Sequence, residues 1–321
     1  MLLLCLPVYA QAAPLVPPSG FSQPLPQTAS GDCITLPAPY TEPLTLRSKY
    51  EGSDSARATL NPDAEQAFRA ATKPIVGFER GIAEMTRRYK QSGDPRTLNC
   101  LLAGYAAWAN AGALLSQETS HTGRAMRKWA LATLASSWLE LKFMPGSPLH
   151  GQQATERWLG QLADRVVLEW DGLPLNSTNN HSYWAAWAVM ATAVALDRRD
   201  LFAWSIKEYR IAAGQIAADG TLANEQRRGE RARAYHNYAL QPLVMIASFA
   251  GANQVDVMAE NNGALARLAG YVLREDDTHL AWLEPWCAMT LCSTVTLSRL
   301  YAHRPLEDRR LGGNLTLLYQ R

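Results

Sequence analysis

An all-α fold, a ring of stacked antiparallel helical hairpins forming an α/α toroid around a central cleft, is what the sequence predicts from three observations. Apolar residues recur at three- and four-residue spacing along most of the chain, as at Leu131, Leu134, Trp138 and Leu141. Short breakers punctuate these stretches: Ser92-Gly93-Asp94-Pro95, Pro145-Gly146, Asp171-Gly172 and Asp219-Gly220. Alternating strand patterns are almost absent. The 321 residues suit one helical toroid or two ordinary domains, and a hydrophobic fraction of 47% supports a large core.

In chain order, Met1 to Val8 is apolar, and Ala10-Gln11-Ala12 has the small-x-small pattern at which export signals are cut. Residues 1–13 therefore read as a signal peptide, and the mature protein as exported. No Lys or Arg stands near Met1, which points to a natural start upstream. Residues 14–61, rich in Pro, Ser, Thr and Gly, read as an extended N-terminal arm. Residues 62–321 read as the helical region, forming a single domain with that arm. Its first helix begins after Pro62, with acidic Asp63 and Glu65 in the first turn, and Pro74 is expected to break or kink it before Lys90. Further helices are expected over 97–116, 121–143, 154–170, 181–196, 200–217, 229–250, 259–274 and 281–302. The stretch 181–196 is apolar nearly all round, which requires burial on two sides and suggests an inner ring covered by an outer one.

Cysteine usage agrees with export. Cys5 leaves with the signal, and the even set Cys33, Cys100, Cys287 and Cys292 remains. Of the three possible pairings, Cys287 with Cys292 clips one loop, and Cys33 then staples the arm to the helix carrying Cys100. The net charge of +2 excludes a dedicated nucleic-acid binder, so affinity for any anionic polymer must come from a local cluster. No run of 18 apolar residues exists, so no membrane span is expected.

Chemistry-bearing residues concentrate in three stretches. Asn179-Asn180-His181-Ser182-Tyr183-Trp184 crowds amide, imidazole, hydroxyl and indole groups onto one helix start, where free N–H groups and the dipole favour an anion. The second runs from Asn224 to Tyr238 and carries Arg227, Arg228, Arg231 and Arg233 at a helix N-terminus. Cations there need a compensating anion, and Glu225 and Glu230 are the local candidates. Arg228, Arg231 and Tyr235 are expected on one helix face. The third, Arg47 to Arg57, is a loop with Lys49, Tyr50 and Gly52 that can close over a cleft as a lid.

With these residues in place, a resemblance becomes specific. Ser48-Lys49-Tyr50-Glu51-Gly52-Ser53-Asp54, His121-Thr122-Gly123, Met126-Arg127-Lys128-Trp129-Ala130, Asn179-Asn180-His181-Ser182-Tyr183-Trp184, Ala234-Tyr235-His236-Asn237-Tyr238 and Trp282-Leu283-Glu284-Pro285 occur in order along nearly the whole mature chain. The sequence resembles the periplasmic, mannuronate-specific alginate lyases of polysaccharide lyase family 5. The resemblance implies an incomplete α/α toroid, β-elimination on poly-mannuronate, a periplasmic location and association with the machinery that polymerises and exports alginate. It assigns catalytic roles to Asn180, His181, Arg228 and Tyr235, and a substrate-contacting lid role to Lys49. Tyr50, Arg231 and Trp184 join Lys49 as expected substrate-binding residues. The sequence departs from the family at Arg233, where Leu is frequent, and in a shorter segment before Trp282.

The chemistry explains the choice of groups. Elimination removes the C5 proton of a uronate and expels the C4 oxygen, and the charged C6 carboxylate makes that proton only weakly acidic. Arg228, Asn180 and His181 can neutralise the carboxylate as charge develops. In mannuronate the departing proton and leaving group share one ring face, so Tyr235 can serve both, a neighbouring cation favouring its phenolate; His181 is the alternative base. No cofactor or metal is expected, since the six histidines lack metal-ligand spacing, and His236 reads as structural. Two rivals stand: a non-catalytic alginate-binding or assembly protein, and a glycoside hydrolase using Glu118 and Glu284 as its carboxylate pair.

Overall fold

Asn61 starts the helical region by accepting a hydrogen bond from the Ala64 N–H at 3.1 Å. The computed structural model of the chain describes residues 13–23, 32–275 and 278–319. The expected signal peptide lies, apart from Ala13, outside the described residues. From Asn61 the helix α1 (Pro62–Ser92) runs without interruption to a left-handed cap at Gly93. Pro74 neither ends nor divides it, so of the expected break or kink the break does not occur. A proline inside a helix costs roughly 3 kcal/mol, and α1 offsets this by burying Ile75, Phe78, Ile82 and Met85 on one face.

The following helices are α2 (Pro95–Asn110), α3 (His121–Phe143), α4 (Gln153–Trp170), α5 (Asn180–Leu196), α6 (Arg199–Gln215), the short α7 (Ala223–Gln226), α8 (Ala232–Ala252) and α9 (Glu260–Glu275). The chain closes with α10 (Leu283–Met289), α11 (Thr294–Ala302), a two-residue hairpin of β1 (Glu307–Asp308) with β2 (Gly313–Asn314), and α12 (Leu315–Tyr319).

Three expected helices are interrupted. In 259–274 the left-handed residues Asn261, Asn262 and Gly263 break the helix near its start. The stretch 229–250 begins as a 3-10 turn, Gly229–Arg231, and is α-helical only from Ala232. Gly229 has φ +57°, a left-handed value that turns the chain before α8. The stretch 281–302 parts at Thr290–Ser293, where the Cys287–Cys292 disulfide closes a short loop and the Ser293 side chain caps α11.

Packing produces two concentric rows. The inner row passes from α1 to α3, α5, α8 and α10, and the outer from α2 to α4, α6 and α9. Helix α5 lies between α3, α8, α4 and α6, and every residue from Ser182 to Ala195 is buried. This is the burial that its all-round apolar sequence demands, and the result is an incomplete α/α toroid. The arm crosses the rows' surface in extended conformation. Leu44 bridges Thr119, the Trp108 indole donates to the Pro37 carbonyl at 3.1 Å, and Cys33 is bonded to Cys100. Gly123 permits this docking: a Cβ there would lie 1.7 Å from the Leu44 carbonyl oxygen.

Candidate active site

The starts of α3 and α5 and the turn before α8 meet at a cleft of about 370 Å³. Each start is locally encoded. Ser120 accepts from the Gly123 N–H at 3.1 Å, and Asn179 accepts from the His181 N–H at 2.9 Å. His121 and His181 therefore project from helix N-termini into one space, with ring centroids 5.1 Å apart. Arg57, Arg124, Arg227 and Arg228 also line the cleft, while its carboxylate, Glu169, is salt-bridged to buried Arg127. Converging helix N-termini and guanidinium groups make this a cleft for a polyanion. A second cavity of about 330 Å³ carries charges of both signs, among them the pairs Arg87 with Glu84 and Lys90 with Glu140.

Arg228 connects the cleft to Tyr235. Its guanidinium carbon lies 4.8 Å from the Tyr235 ring centroid, and that of Arg231 lies 5.0 Å from the same ring. The expected single helix face is not the reason, because Arg228 precedes α8; the left-handed turn at Gly229 folds it back. Arg231 also stacks on Tyr50 at 4.8 Å and donates to the Arg57 carbonyl at 3.0 Å, which seats the loop 48–57 across the cleft. Burial and the Tyr50 phenol push the Tyr235 hydroxyl above the ordinary phenol range, and Arg231 and Arg228 only partly oppose them. The expected net lowering by nearby cations is thus outweighed, chiefly by burial.

Asn180 is fully buried beneath this surface. Its backbone N–H donates to Glu225 Oε1 at 2.7 Å, and its Nδ2 lies 3.1 and 3.0 Å from the two Glu225 oxygens. Reversing the amide would set its oxygen against the carboxylate, so this orientation is the one the neighbourhood dictates. Glu225 is itself fully buried, and burial raises its pKa against the lowering by Asn180 and Arg228. It is an anchor for the start of α5 rather than the solvated partner of arginines that the sequence suggested. His181 is held on both sides: Nδ1 lies 3.1 Å from Lys128 Nζ, and the ring stacks on Trp170 with centroids 5.8 Å apart. Burial, then Lys128, His121 and Arg228, keep its pKa well below the usual histidine range.

Two expected substrate contacts are placed elsewhere. Trp184 is buried in the core, its indole donating to the Tyr238 carbonyl at 2.9 Å and its ring stacked on Tyr238, because three residues of helix rotate it inward from His181. Lys49 does not line the cleft; its ammonium lies 5.5 Å from the Phe68 ring centroid on α1, while its carbonyl accepts from the Asn61 N–H. His236 is structural, with Nε2 accepting from the Leu222 N–H at 2.9 Å and Nδ1 facing the Ala232 carbonyl. The carboxylates proposed for a hydrolase are not in the cleft. Glu118 is exposed on the α2–α3 loop, and Glu284 is buried in a pair with Arg304 at 2.7 Å. Lys128, Trp170, Arg124 and His121 have no role in the sequence-based expectation, although Lys128 and His121 stand within the motifs Met126-Arg127-Lys128-Trp129-Ala130 and His121-Thr122-Gly123.

Comparison with known proteins converges on one family. The family model described as alginate lyase matches residues 45–282. An alginate lyase from Pseudomonas fluorescens is 50% identical, covering 96% of this chain and 91% of the relative, and one from Cobetia marina is 49% identical over 96% and 90%. Among solved structures, alginate lyase A1-III from Sphingomonas species A1 superposes with a TM-score of 0.76 at 25% identity, covering 93% of this chain and 89% of the other. A variant of A1-III complexed with a tetrasaccharide superposes at 0.78, with 25% identity over 92% and 88%. With the family model spanning most of its length and relatives sharing half its residues, the chain belongs to the alginate lyase family.

Proposed function

We propose that this protein is a lyase that cleaves the 1,4 bond of mannuronate-rich alginate by β-elimination, leaving an unsaturated uronate at the new non-reducing end. The observation that carries the proposal is the position of Arg228, which lines the cleft beside His181 while its guanidinium lies against the Tyr235 ring. A carboxylate neutraliser and a proton carrier are therefore neighbours, as elimination from a uronate requires. Family membership supports the same reaction.

In the proposed reaction Arg228 binds the C6 carboxylate through paired charge-assisted hydrogen bonds, and His181 donates to it from α5. Asn180 supplies a further donor: an amide nitrogen carries two hydrogens, and a single hydrogen shared between the Glu225 oxygens leaves the other for substrate. Tyr235 takes the C5 proton while passing its own hydroxyl proton to the C4 oxygen, so the phenol begins and ends neutral. Electrons from the C5–H bond form the C4–C5 double bond as the C4–O bond breaks. Tyr50 and Arg231 fix the Tyr235 ring.

The export-signal pattern and two disulfides support a periplasmic site of action, where the enzyme clears alginate left behind during polymerisation and export. Ultraviolet absorbance of the conjugated product, followed on mannuronate-rich, guluronate-rich and acetylated alginate, tests the proposal. Absorbance should rise fastest on mannuronate-rich chains. Binding without any rise would replace the proposal with a non-catalytic alginate-binding role, and new reducing ends without absorbance would indicate hydrolysis.

A further inference from the structure

Lys128 is fully buried on α3. Among the described residues it pairs with no carboxylate; its ammonium meets His181 Nδ1 at 3.1 Å and the faces of two indoles, Trp129 at 4.2 Å and Trp170 at 4.8 Å. A buried lysine is costly unless its charge is compensated. Burial and then the nearby Arg310 pull the Lys128 pKa well below the usual lysine range, and against them the two aromatic faces, through their quadrupoles, favour the ammonium over the amine. An ammonium has three donors and no acceptor, so the Nδ1 facing it must offer a lone pair. The proton of the neutral imidazole is then on Nε2. Stacking on Trp170, with the ring planes 13° apart, fixes the ring orientation, and Nε2 is the nitrogen left for the cleft that His181 lines.

We infer that Lys128 is a positioning residue that holds His181 in the Nε2–H tautomer, so that the imidazole meets the substrate carboxylate as a neutral hydrogen-bond donor and not as the base. The inference deepens the lyase proposal and rests on it for the identity of the carboxylate. It also divides the labour: with its lone pair turned to Lys128, His181 has none to offer the C5 proton, and proton transfer falls to Tyr235. The neighbouring cations act in the same direction, since Lys128, Arg228 and Arg57 all disfavour an imidazolium at this position.

Nitrogen-15 NMR of the histidine-labelled wild-type protein, with the His181 signals assigned by their loss in His181→Gln, reads the tautomer directly. The expected result is a protonated Nε2 and an unprotonated Nδ1; protonation at Nδ1, or an average of the two forms, overturns the inference. Lys128→Met should release the tautomer and lower kcat about 10–100-fold, as loss of an orienting partner does elsewhere, with KM little changed. Lys128→Arg, which keeps a donor, should recover part of the rate. A Lys128→Met enzyme whose His181 keeps the Nε2–H form also overturns it. If Lys128→Met does not fold, the wild-type spectrum still decides. A wild-type enzyme that gives no unsaturated product would refute the lyase proposal, whereas the tautomer measurement would still stand for Lys128.

Discussion

The Arg228 guanidinium lies over the Tyr235 ring, its carbon 4.8 Å from the ring centroid, although the two residues belong to different segments of backbone. The contact ties the group that binds substrate charge to the group that carries the proton. It also orients the phenol from one side while Arg231 and Tyr50 hold it from others. A ring fixed in this way needs little reorganisation at the moment of reaction.

Replacing Tyr235 by Phe leaves that stacking in place and removes only the hydroxyl. Affinity for oligomannuronate, measured by calorimetry, should therefore stay within about twofold, while turnover followed by ultraviolet absorbance should fall by roughly 10²–10⁴, the usual contribution of a positioned acid–base group. A variant that kept most of its rate would remove Tyr235 from the proton-transfer role.

Arg228→Lys separates charge from geometry. Lysine keeps the positive charge but loses the planar fork that engages a carboxylate through two bonds, and it stacks less well on Tyr235. The expected loss in kcat is roughly 10²–10³, comparable to removal of one oxyanion-hole donor. Raising ionic strength should weaken polymer binding in both proteins, since Arg57, Arg124 and Arg227 remain in the cleft.

Much of this site was legible before any coordinates. The paired asparagines and His181 announce a capped helix start, the density of arginine at another helix start calls for an anion, and the all-round apolar character of α5 requires two covering layers. Other features were hidden because they depend on tertiary burial or on chain reversal. Nothing in Met126-Arg127-Lys128-Trp129-Ala130 marks Lys128 as buried, and only the tertiary approach of His181 and Trp170 closes over it. Glu225 reads as a partner for neighbouring arginines, and only the docking of α7 on the loop before α5, where Asn224 donates to the Leu175 and Thr178 carbonyls, brings it to Asn180. Trp184 sits in a motif beside His181, but helical rotation carries it into the core. The division of 281–302 likewise arises from a covalent closure that helix periodicity does not record.

The histidines at the cleft impose a pH dependence on stability. His121 is pushed down to about 4, first by desolvation and then by Lys128, Arg57, Arg124 and Arg228. Between the unfolded value near 6.5 and that folded value, the unfolded chain binds a proton that the native protein refuses. Stability should therefore be fully expressed above about pH 6.5, decline as pH falls towards about 4, and change no further from this group below that. Denaturant unfolding at intervals across this range should show the decline, and His121→Gln should flatten part of it. A bound oligouronate should reduce the slope, because an anion in the cleft raises the affinity of His121 for its proton. An unchanged slope in His121→Gln would assign the effect to His181, whose pKa is lowered in the same sense.

Glu225 should matter for both folding and catalysis, in amounts that separate. Its carboxylate accepts the Asn180 backbone N–H and the side-chain amide at the start of α5. Glu225→Ala leaves buried donors without a partner, which costs about 1–3 kcal/mol for each unsatisfied group and should lower the melting temperature by several degrees. It also frees the Asn180 side chain to rotate, so the second donor to the substrate carboxylate is lost and kcat should fall even where the enzyme remains folded. Glu225→Gln keeps one acceptor for the backbone N–H, yet its amide nitrogen opposes Asn180 Nδ2, donor against donor. Stability should then be recovered more fully than activity. Thermal denaturation and absorbance kinetics on the same two proteins decide the matter. If Glu225→Gln recovered activity as fully as stability, Glu225 would be a helix anchor with no part in orienting Asn180 towards substrate.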